Sequence, residues 1–165
     1  MHGYIPQTDE VKATFLFNFA KFVEWPADLS PQEATPFMFG VLGDSFVENT
    51  LNNLVRRESN AGRKWNVKSV TVNDDLTGFQ VLFISASDKS RVADILQRLD
   101  GTSVLTISEL DRFCQMGGVI QFAMEDQRIR FDVNLDSARR ARLTLSSKLL
   151  RLAKTVHSTT GPGGH

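Results

Sequence analysis

The chain has 165 residues, 41% of them hydrophobic and 23% charged, which is typical of a single globular domain with a sizeable core. Its 19 basic and 19 acidic residues balance, so the net charge favours neither nucleic acid nor an anionic membrane as a partner. No apolar run reaches the roughly 18–20 residues that span a bilayer, and a single cysteine excludes an intrachain disulfide.

The first predicted element is an aromatic helix from about Thr8 to Glu24. It contains the segment KATFLFNFAKFVEWP, whose four phenylalanines cover more than one side of the helix. Pro26 ends the helix, because the residue before a proline is pushed out of the helical region. Phe17 lies at the edge of the polar stripe. We therefore expect Phe17 to be exposed and to mark a self-association contact in a homodimer.

Strands and helices then alternate along the chain. A buried strand at Phe37–Leu42 turns at Gly43 into a helix at about Phe46–Arg57, with Ser45 and Glu48 in the spacing of a capping box. The remaining predicted elements are strands at Trp65–Val72 and Phe79–Ser85, a helix at Asp88–Leu99, a strand at Ser103–Ile107, a short helix at Ser108–Cys114, a hairpin of Val119–Met124 with Arg128–Val133, and a helix from Asp136 to Val156.

The order α-β-α-β-β-α-β-α-β-β-α predicts an α/β fold. We expect a mostly parallel sheet flanked by helices on both faces, with a C-terminal hairpin and a long final helix. Residues 8–156 form one domain in this interpretation, and residues 1–7 and 157–165 are flexible ends. The first ten residues contain no basic and apolar segments of the kind that make up a signal peptide.

Several segments together resemble the YfiR-like family of exported bacterial regulators. The resemblance spans roughly residues 10 to 156, and its most specific parts are the pattern F-x-N-F-x-K-F-V-x-W-P and the segment GGVIQFAMEDQRIRFDVNL at Gly117–Leu135. The other matching segments, in chain order, are VLGDS at Val41–Ser45, VLFIS at Val81–Ser85, VLTISEL at Val104–Leu110 and LTLSSKLLRLAKTV at Leu143–Val156.

The resemblance implies a location and a mode of action. YfiR-like proteins act in the periplasm of Gram-negative bacteria, and the member that names the family represses an inner-membrane diguanylate cyclase until an outer-membrane lipoprotein sequesters it. It implies here a periplasmic repressor in cyclic-di-GMP signalling, exported with a signal peptide ahead of about Gly3. Its partners would be the cyclase sensor domain and such a lipoprotein, and no cofactor is implied. Members often carry disulfides, and the lone Cys114 departs from that pattern.

Polar residues at the predicted strand ends form a candidate ligand-binding rim, because open α/β sheets bind ligands beyond the carboxyl ends of their strands. Alternatively, each serine there could serve only as the N-cap of the helix that follows. A site of this kind favours the alternative function of a periplasmic small-molecule sensor that feeds a histidine kinase or another receptor. The rim residues are Gly43, Asp44, Ser45, Ser85, Ser108 and Asn134.

Residues suited to catalysis or to metal binding are sparse. The histidines are His2, His157 and His165, all near the termini, and Cys114 has no histidine beside it in the sequence. A catalytic triad or a metal cluster needs a rigidly held imidazole. We therefore predict no enzymatic activity, no metal and no cofactor.

A partner surface is predicted at the start of the final helix together with Trp25. Arg139, Arg140 and Arg142 would place cations at a helix N-terminus, which the helix dipole disfavours, so an acidic partner would compensate. Trp25 would supply an apolar anchor. The alternative is that the arginines pair internally, for example with Asp132 or Asp136, and that Trp25 belongs to the core.

Overall fold

The computed structural model describes residues 6–26, 36–58, 64–85 and 89–158. Of the predicted flexible ends, 1–7 and 157–165, residues 1–5 and 159–165 lie outside the described residues, whereas Pro6 and Gln7 begin a helix. The elements are α1 (Pro6–Phe22), β1 (Val23–Glu24), β2 (Phe37–Leu42), α2 (Ser45–Glu58), β3 (Trp65–Val70), β4 (Val81–Ile84), α3 (Lys89–Arg98), β5 (Leu105–Ser108), α4 (Phe113–Met116), β6 (Ile120–Glu125), β7 (Arg128–Asn134), α5 (Leu135–Arg140), β8 (Thr144–Leu145), α6 (Ser147–Leu152) and β9 (Thr155–His157).

The main sheet has the strand order β3-β2-β4-β5-β6-β7-β9. The first five strands in this order are parallel, β7 is antiparallel to β6, and β9 is parallel to β7. The predicted α/β fold with a mostly parallel sheet and a C-terminal hairpin is therefore confirmed. The order reverses between β2 and β4, because β3 lies on one side of β2 and all later strands of this sheet lie on the other.

Helices cover both faces of the sheet, as predicted. In β4, Val81 and Phe83 belong to the core beneath α1 and α2, whereas Leu82 and Ile84 belong to the core beneath α3 and α4. All four residues are buried, which explains why this strand is a continuous apolar run. In the part of the chain that the structure describes, no helix combines the length and apolar character needed to cross a membrane.

Phe17 is a core residue, which corrects our expectation of an exposed aromatic. Its side chain is 3% exposed, and its ring packs edge-on against Trp65 with 5.0 Å between the ring centroids. The helix neighbour α2 and the edge strand β3 cover the side of α1 that the sequence pattern left open. The ammonium of Lys21, a residue of the polar stripe, lies 4.4 Å over the Phe17 ring. Phe17 therefore contacts the polar stripe through this side chain. The exposed Phe17 on which we based a dimer contact is therefore absent.

The predicted long final helix is broken into α5, β8, α6 and β9, so this expectation was wrong. The chain turns at Arg142, which has a φ of 59°, in the left-handed region that ends a helix. The Ser146 side chain then caps α6 by accepting a hydrogen bond from the Leu149 N–H at 3.1 Å. An apolar stripe at helical spacing is satisfied equally well by two short helices with a turn between them.

Tertiary hydrogen bonds hold the interrupted segment in place. The Ser146 N–H donates to the Phe22 carbonyl at 2.9 Å, and the Lys154 N–H donates to the Phe131 carbonyl at 2.7 Å. The short strand β8 pairs with β1, directly after α1, and β9 extends the main sheet beside β7. His157, predicted to begin a flexible end, is the last residue of β9.

We expect Phe17→Ala to lower the free energy of unfolding by about 3–5 kcal/mol, because it removes a buried ring from a well-packed site. Phe46→Ala is the matched control, since Phe46 is 57% exposed. Its substitution should cost less than about 1 kcal/mol. Urea unfolding of both variants measures the difference, and equal effects would contradict the assignment of Phe17 to the core.

Candidate functional site

The structure brings Gly43 and Ser85 together at the point where the strand order reverses. These residues follow β2 and β4, and a side-chain carbon built on Gly43 would lie 3.2 Å from the Ser85 Cβ. Gly43 has a φ of 86°, so a side chain there would be strained as well as crowded. The Ser85 N–H donates to the Leu42 carbonyl at 2.9 Å, which fixes the two strand ends against each other. This part of the predicted rim is thus assembled.

Asp44 occupies the N-terminal end of α2, the kind of helix end at which anions bind in other proteins. Its Oδ1 accepts hydrogen bonds from the N–H groups of Phe46 and Val47, both at 3.1 Å. Asp44 is therefore the cap of α2, and Ser45 is the first residue of the helix rather than the cap that the sequence predicted. The carboxylate both takes these donors and repels a second negative charge, which disfavours a phosphate or another anion here.

Ser108 is fully buried and acts as a structural link. Its hydroxyl donates to the Ile84 carbonyl at 2.6 Å and accepts a hydrogen bond from the Leu110 N–H at 3.0 Å. Both hydrogen-bonding roles serve the connection between β4 and the chain after β5. Because the residue is fully buried, a ligand cannot reach the hydroxyl without opening this connection.

Asn134 is separated from Gly43 and Ser85 across the sheet, because it ends β7, which lies three strands away from β4, and this corrects its predicted place in the rim. Because β7 runs antiparallel to β6, its carboxyl end lies beside the beginning of β6, where the Asn134 N–H donates to the Val119 carbonyl. The beginning of β6 pairs with the end of β5, so Asn134 is level with the last residues of β5 and does not lie beyond them. The Asn134 side chain caps α5 by accepting from the Ser137 N–H at 3.0 Å, and donates to the Cys114 carbonyl at 2.7 Å. The predicted hairpin already implied that Asn134 ends a strand of opposite direction, whereas the strand order and the register of β6 against β5 set its position.

A groove that the sequence analysis missed lies between the first turns of α1 and the β6–β7 hairpin, beyond the carboxyl end of β5. Its volume is about 380 Å³. At its polar end the Lys12 Nζ lies 2.7 Å from the Glu109 Oε2, and the Lys12 side chain is only 11% exposed. No local pattern links these two residues, which are 97 positions apart in the chain. The groove is lined by Thr8, Lys12, Glu109, Asp111, Gln121, Phe122, Ala123, Met124 and Ile129.

A charged cluster ties the end of the hairpin to the segment before β9. The Glu125 carboxylate lies 2.8 Å from the Lys154 Nζ and 3.2 Å from the Arg130 Nη1. The hydrogen bond from Lys154, followed by the charges of Lys154 and Arg130, lowers the pKa of Glu125 below its ordinary value. The same bond raises the pKa of Lys154. Both groups thus stay charged over the neutral pH range.

Cys114 is unsuited to nucleophilic chemistry. Its side chain is buried, and burial followed by the negative charge of Asp132 raises the pKa of the thiol from 9.0 to about 12. A thiol with so high a pKa holds almost no thiolate at neutral pH. Across the described residues, no group of three or more histidine, cysteine, aspartate or glutamate side chains is placed to hold a metal ion.

The predicted arginines lie at the favourable end of a helix. Because α5 ends at Arg140, Arg139 and Arg140 occupy its last turn, where the dipole favours cations. Arg139 lies 3.7 Å from the Asp136 carboxylate, and Arg140 donates to the Ser137 hydroxyl at 3.0 Å. The dipole argument for an acidic partner is therefore wrong, and the internal pairing of Arg139 with Asp136, which the sequence left open, is present.

Trp25 and Arg142 belong to one region of the surface. Trp25 is half-buried and packs perpendicular to the Phe37 ring, with centroids 5.2 Å apart. The preceding residue, Glu24, pairs with Thr144, two residues after the exposed Arg142. The β1–β8 pair thus brings the chain around Trp25 next to the chain around Arg142, at the C-terminal end of α1.

Comparison with known proteins identifies relatives at the level of family and of fold. The model of the YfiR/HmsC-like family matches residues 9–154, which confirms the resemblance seen in the sequence. A crystal structure of a conserved domain protein from Vibrio cholerae superposes with a TM-score of 0.62 at 9% sequence identity. That match covers 90% of this chain and 60% of the Vibrio protein, so the chain spans three fifths of the relative's length. At this identity the likeness shows the fold alone.

The raised pKa of Cys114 predicts a loss of stability at alkaline pH. The unfolded thiol ionises above its ordinary pKa of 9.0, whereas the folded thiol stays protonated up to about 12. The stabilisation is therefore complete below the unfolded pKa and is lost as the pH rises through this window. Urea unfolding at about pH 8 and about pH 10.5 should show a larger loss for the native chain than for Cys114→Ala, and parallel losses would contradict the assignment.

Proposed function

Because the chain belongs to the YfiR/HmsC-like family, we propose that it is a periplasmic protein-binding regulator that represses an inner-membrane diguanylate cyclase by binding its sensor region. The observation that carries this proposal is the family match over residues 9–154, which includes nearly all the described elements. Members of this family are periplasmic regulators of cyclic-di-GMP signalling. A lipoprotein of the outer membrane would relieve the repression by sequestering the regulator.

Binding rather than catalysis also agrees with the roles of the polar residues. Asp44 caps α2, Ser108 links β4 to the following loop, and Asn134 caps α5. Each of these side chains already has hydrogen-bonding partners that support the fold. A regulator that works by occupying the surface of another protein needs no reactive group, which supports a non-enzymatic role.

We place the cyclase-binding surface around the β1–β8 pair. Trp25 offers an aromatic ring that is half-buried, and Trp is among the residues that dominate binding energy at interfaces. Arg142 is exposed beside it, and the Lys148 ammonium lies 5.1 Å over the Phe22 ring in the same region. Arg139, on the neighbouring α5, extends this basic character. An acidic patch on the sensor domain would complement such a surface, and salt would weaken the association.

We expect the double variant Trp25→Ala with Arg142→Glu to lose repression of a co-expressed cyclase, because the apolar anchor is removed and the rim charge is reversed. Truncation of a hot-spot residue typically costs about 2 kcal/mol or more, which corresponds to a roughly 30-fold weaker complex. Arg57→Glu is the matched control, since Arg57 is exposed in the last turn of α2. Full repression by a stably folded double variant would remove this surface from the proposal.

The proposed location has its own test. The native gene, expressed in a Gram-negative host and followed by cell fractionation, should yield the protein with a periplasmic marker enzyme. Recovery with cytoplasmic markers alone would contradict periplasmic action, and it would leave the cyclase no accessible sensor domain for this protein to bind.

A further inference from the structure

The groove beside α1 has the size and position of a small-molecule site. Its volume of about 380 Å³ lies within the roughly 300–1,000 Å³ that small ligands occupy. It opens beyond the carboxyl end of β5, the edge at which parallel sheets bind ligands. Its apolar floor includes the cross-strand pair of Met124 and Ile129, and Met124 is 55% exposed. An aliphatic chain would bury this surface.

The polar end of the groove has an excess of negative charge. Lys12 is already neutralised by Glu109, because their charged atoms are 2.7 Å apart. Asp111 also lines the groove, and its carboxylate takes part in no ion pair among the described residues. The open end of the groove therefore presents the Asp111 carboxylate, which no cation among the described residues neutralises in an ion pair.

We propose that this groove binds a small primary aliphatic amine. The ammonium group would lie at the polar end near Asp111, and the aliphatic chain would lie on Met124 and Ile129. A divalent metal does not fit, because the described acidic residues form no cluster of three that could ligate one. The buried Lys12 side chain is itself an ammonium on an aliphatic chain, and its contact with Glu109 shows that this environment accommodates the group.

This inference goes beyond the proposed repression, because the groove is at the other end of α1 from Trp25. The helix has 17 residues and is about 25 Å long. The two sites can thus be tested separately. A failure of amine binding leaves the repression test unaffected. A failure of repression likewise leaves the test of amine binding unaffected.

Isothermal titration of the full chain with n-hexylamine at neutral pH and low salt tests the proposal, because the amine is then an ammonium ion. Two ligands of matched length distinguish the contribution of the charge from that of the aliphatic chain. One is n-hexanol, which is neutral, and the other is n-hexanoate, which is an anion. We expect saturable one-to-one binding of hexylamine, at least about tenfold tighter than hexanol, with no binding of hexanoate. Absence of saturation, or equal affinity for amine and alcohol, would overturn the proposal.

Matched carboxylate variants locate the site. Asp111→Asn should weaken hexylamine binding about tenfold, because it removes a charge-assisted contact. Asp126→Asn is the control, since Asp126 is exposed at the hairpin turn with a φ of 51°, which asparagine also tolerates. Unchanged melting temperatures for both variants establish that they fold. Equal weakening by both would indicate unspecific attraction to acidic groups and would overturn the assignment to the groove.

Discussion

The packing of α1 against the sheet is the contact on which the rest of the structure depends. The rings of Phe15 and Phe19 stack at 5.8 Å, and both lie against Phe122 and Phe131 of the β6–β7 hairpin at 5.0–6.2 Å. Aromatic side chains bury more apolar area than other residues, and offset or edge-on pairs add about 0.5–1.5 kcal/mol each. One helix thereby joins the antiparallel end of the sheet to its parallel part.

The two ends of α1 are held by different interactions, and each end is next to a candidate site. At the N-terminal end the ion pair of Lys12 with Glu109 joins the helix to the chain after β5. At the C-terminal end β1 pairs with β8, and the Phe22 carbonyl accepts a hydrogen bond from Ser146. A partner at Trp25 and a ligand beside Lys12 would therefore lie near opposite ends of one helix.

The predicted ligand rim shows why strand direction matters for function. Gly43 and Ser85 meet because their strands are parallel neighbours, whereas Asn134 ends an antiparallel strand three strands away from β4 and does not reach them. Asp44 then closes the helix end with its own carboxylate. A region that topology marks as a binding crevice can thus be occupied by the side chains that build it. The groove beside α1 lies beyond the carboxyl end of β5; there the ion pair of Lys12 with Glu109 takes part of the polar end, and a volume of about 380 Å³ stays open.

The sequence alone determined the α/β fold, the alternation of elements, the hairpin and the family. These follow from short-range patterns: apolar runs of strand length, helical spacing, turn residues and an ordered set of segments. It did not determine which of two helical arrangements follows Asn134, because the same apolar spacing fits one long helix or two short ones. The left-handed turn at Arg142 and the pairing of β8 with β1 decided that.

Tertiary structure alone decided the exposure of Phe17 and the position of the groove. A helical pattern shows which side chains share a face but not which neighbours cover that face, and Trp65 and α2 cover Phe17 from distant parts of the chain. The contact of Lys12 with Glu109 likewise joins residues 97 positions apart. Such contacts depend on the relative placement of complete elements, which the energetics of local segments do not specify.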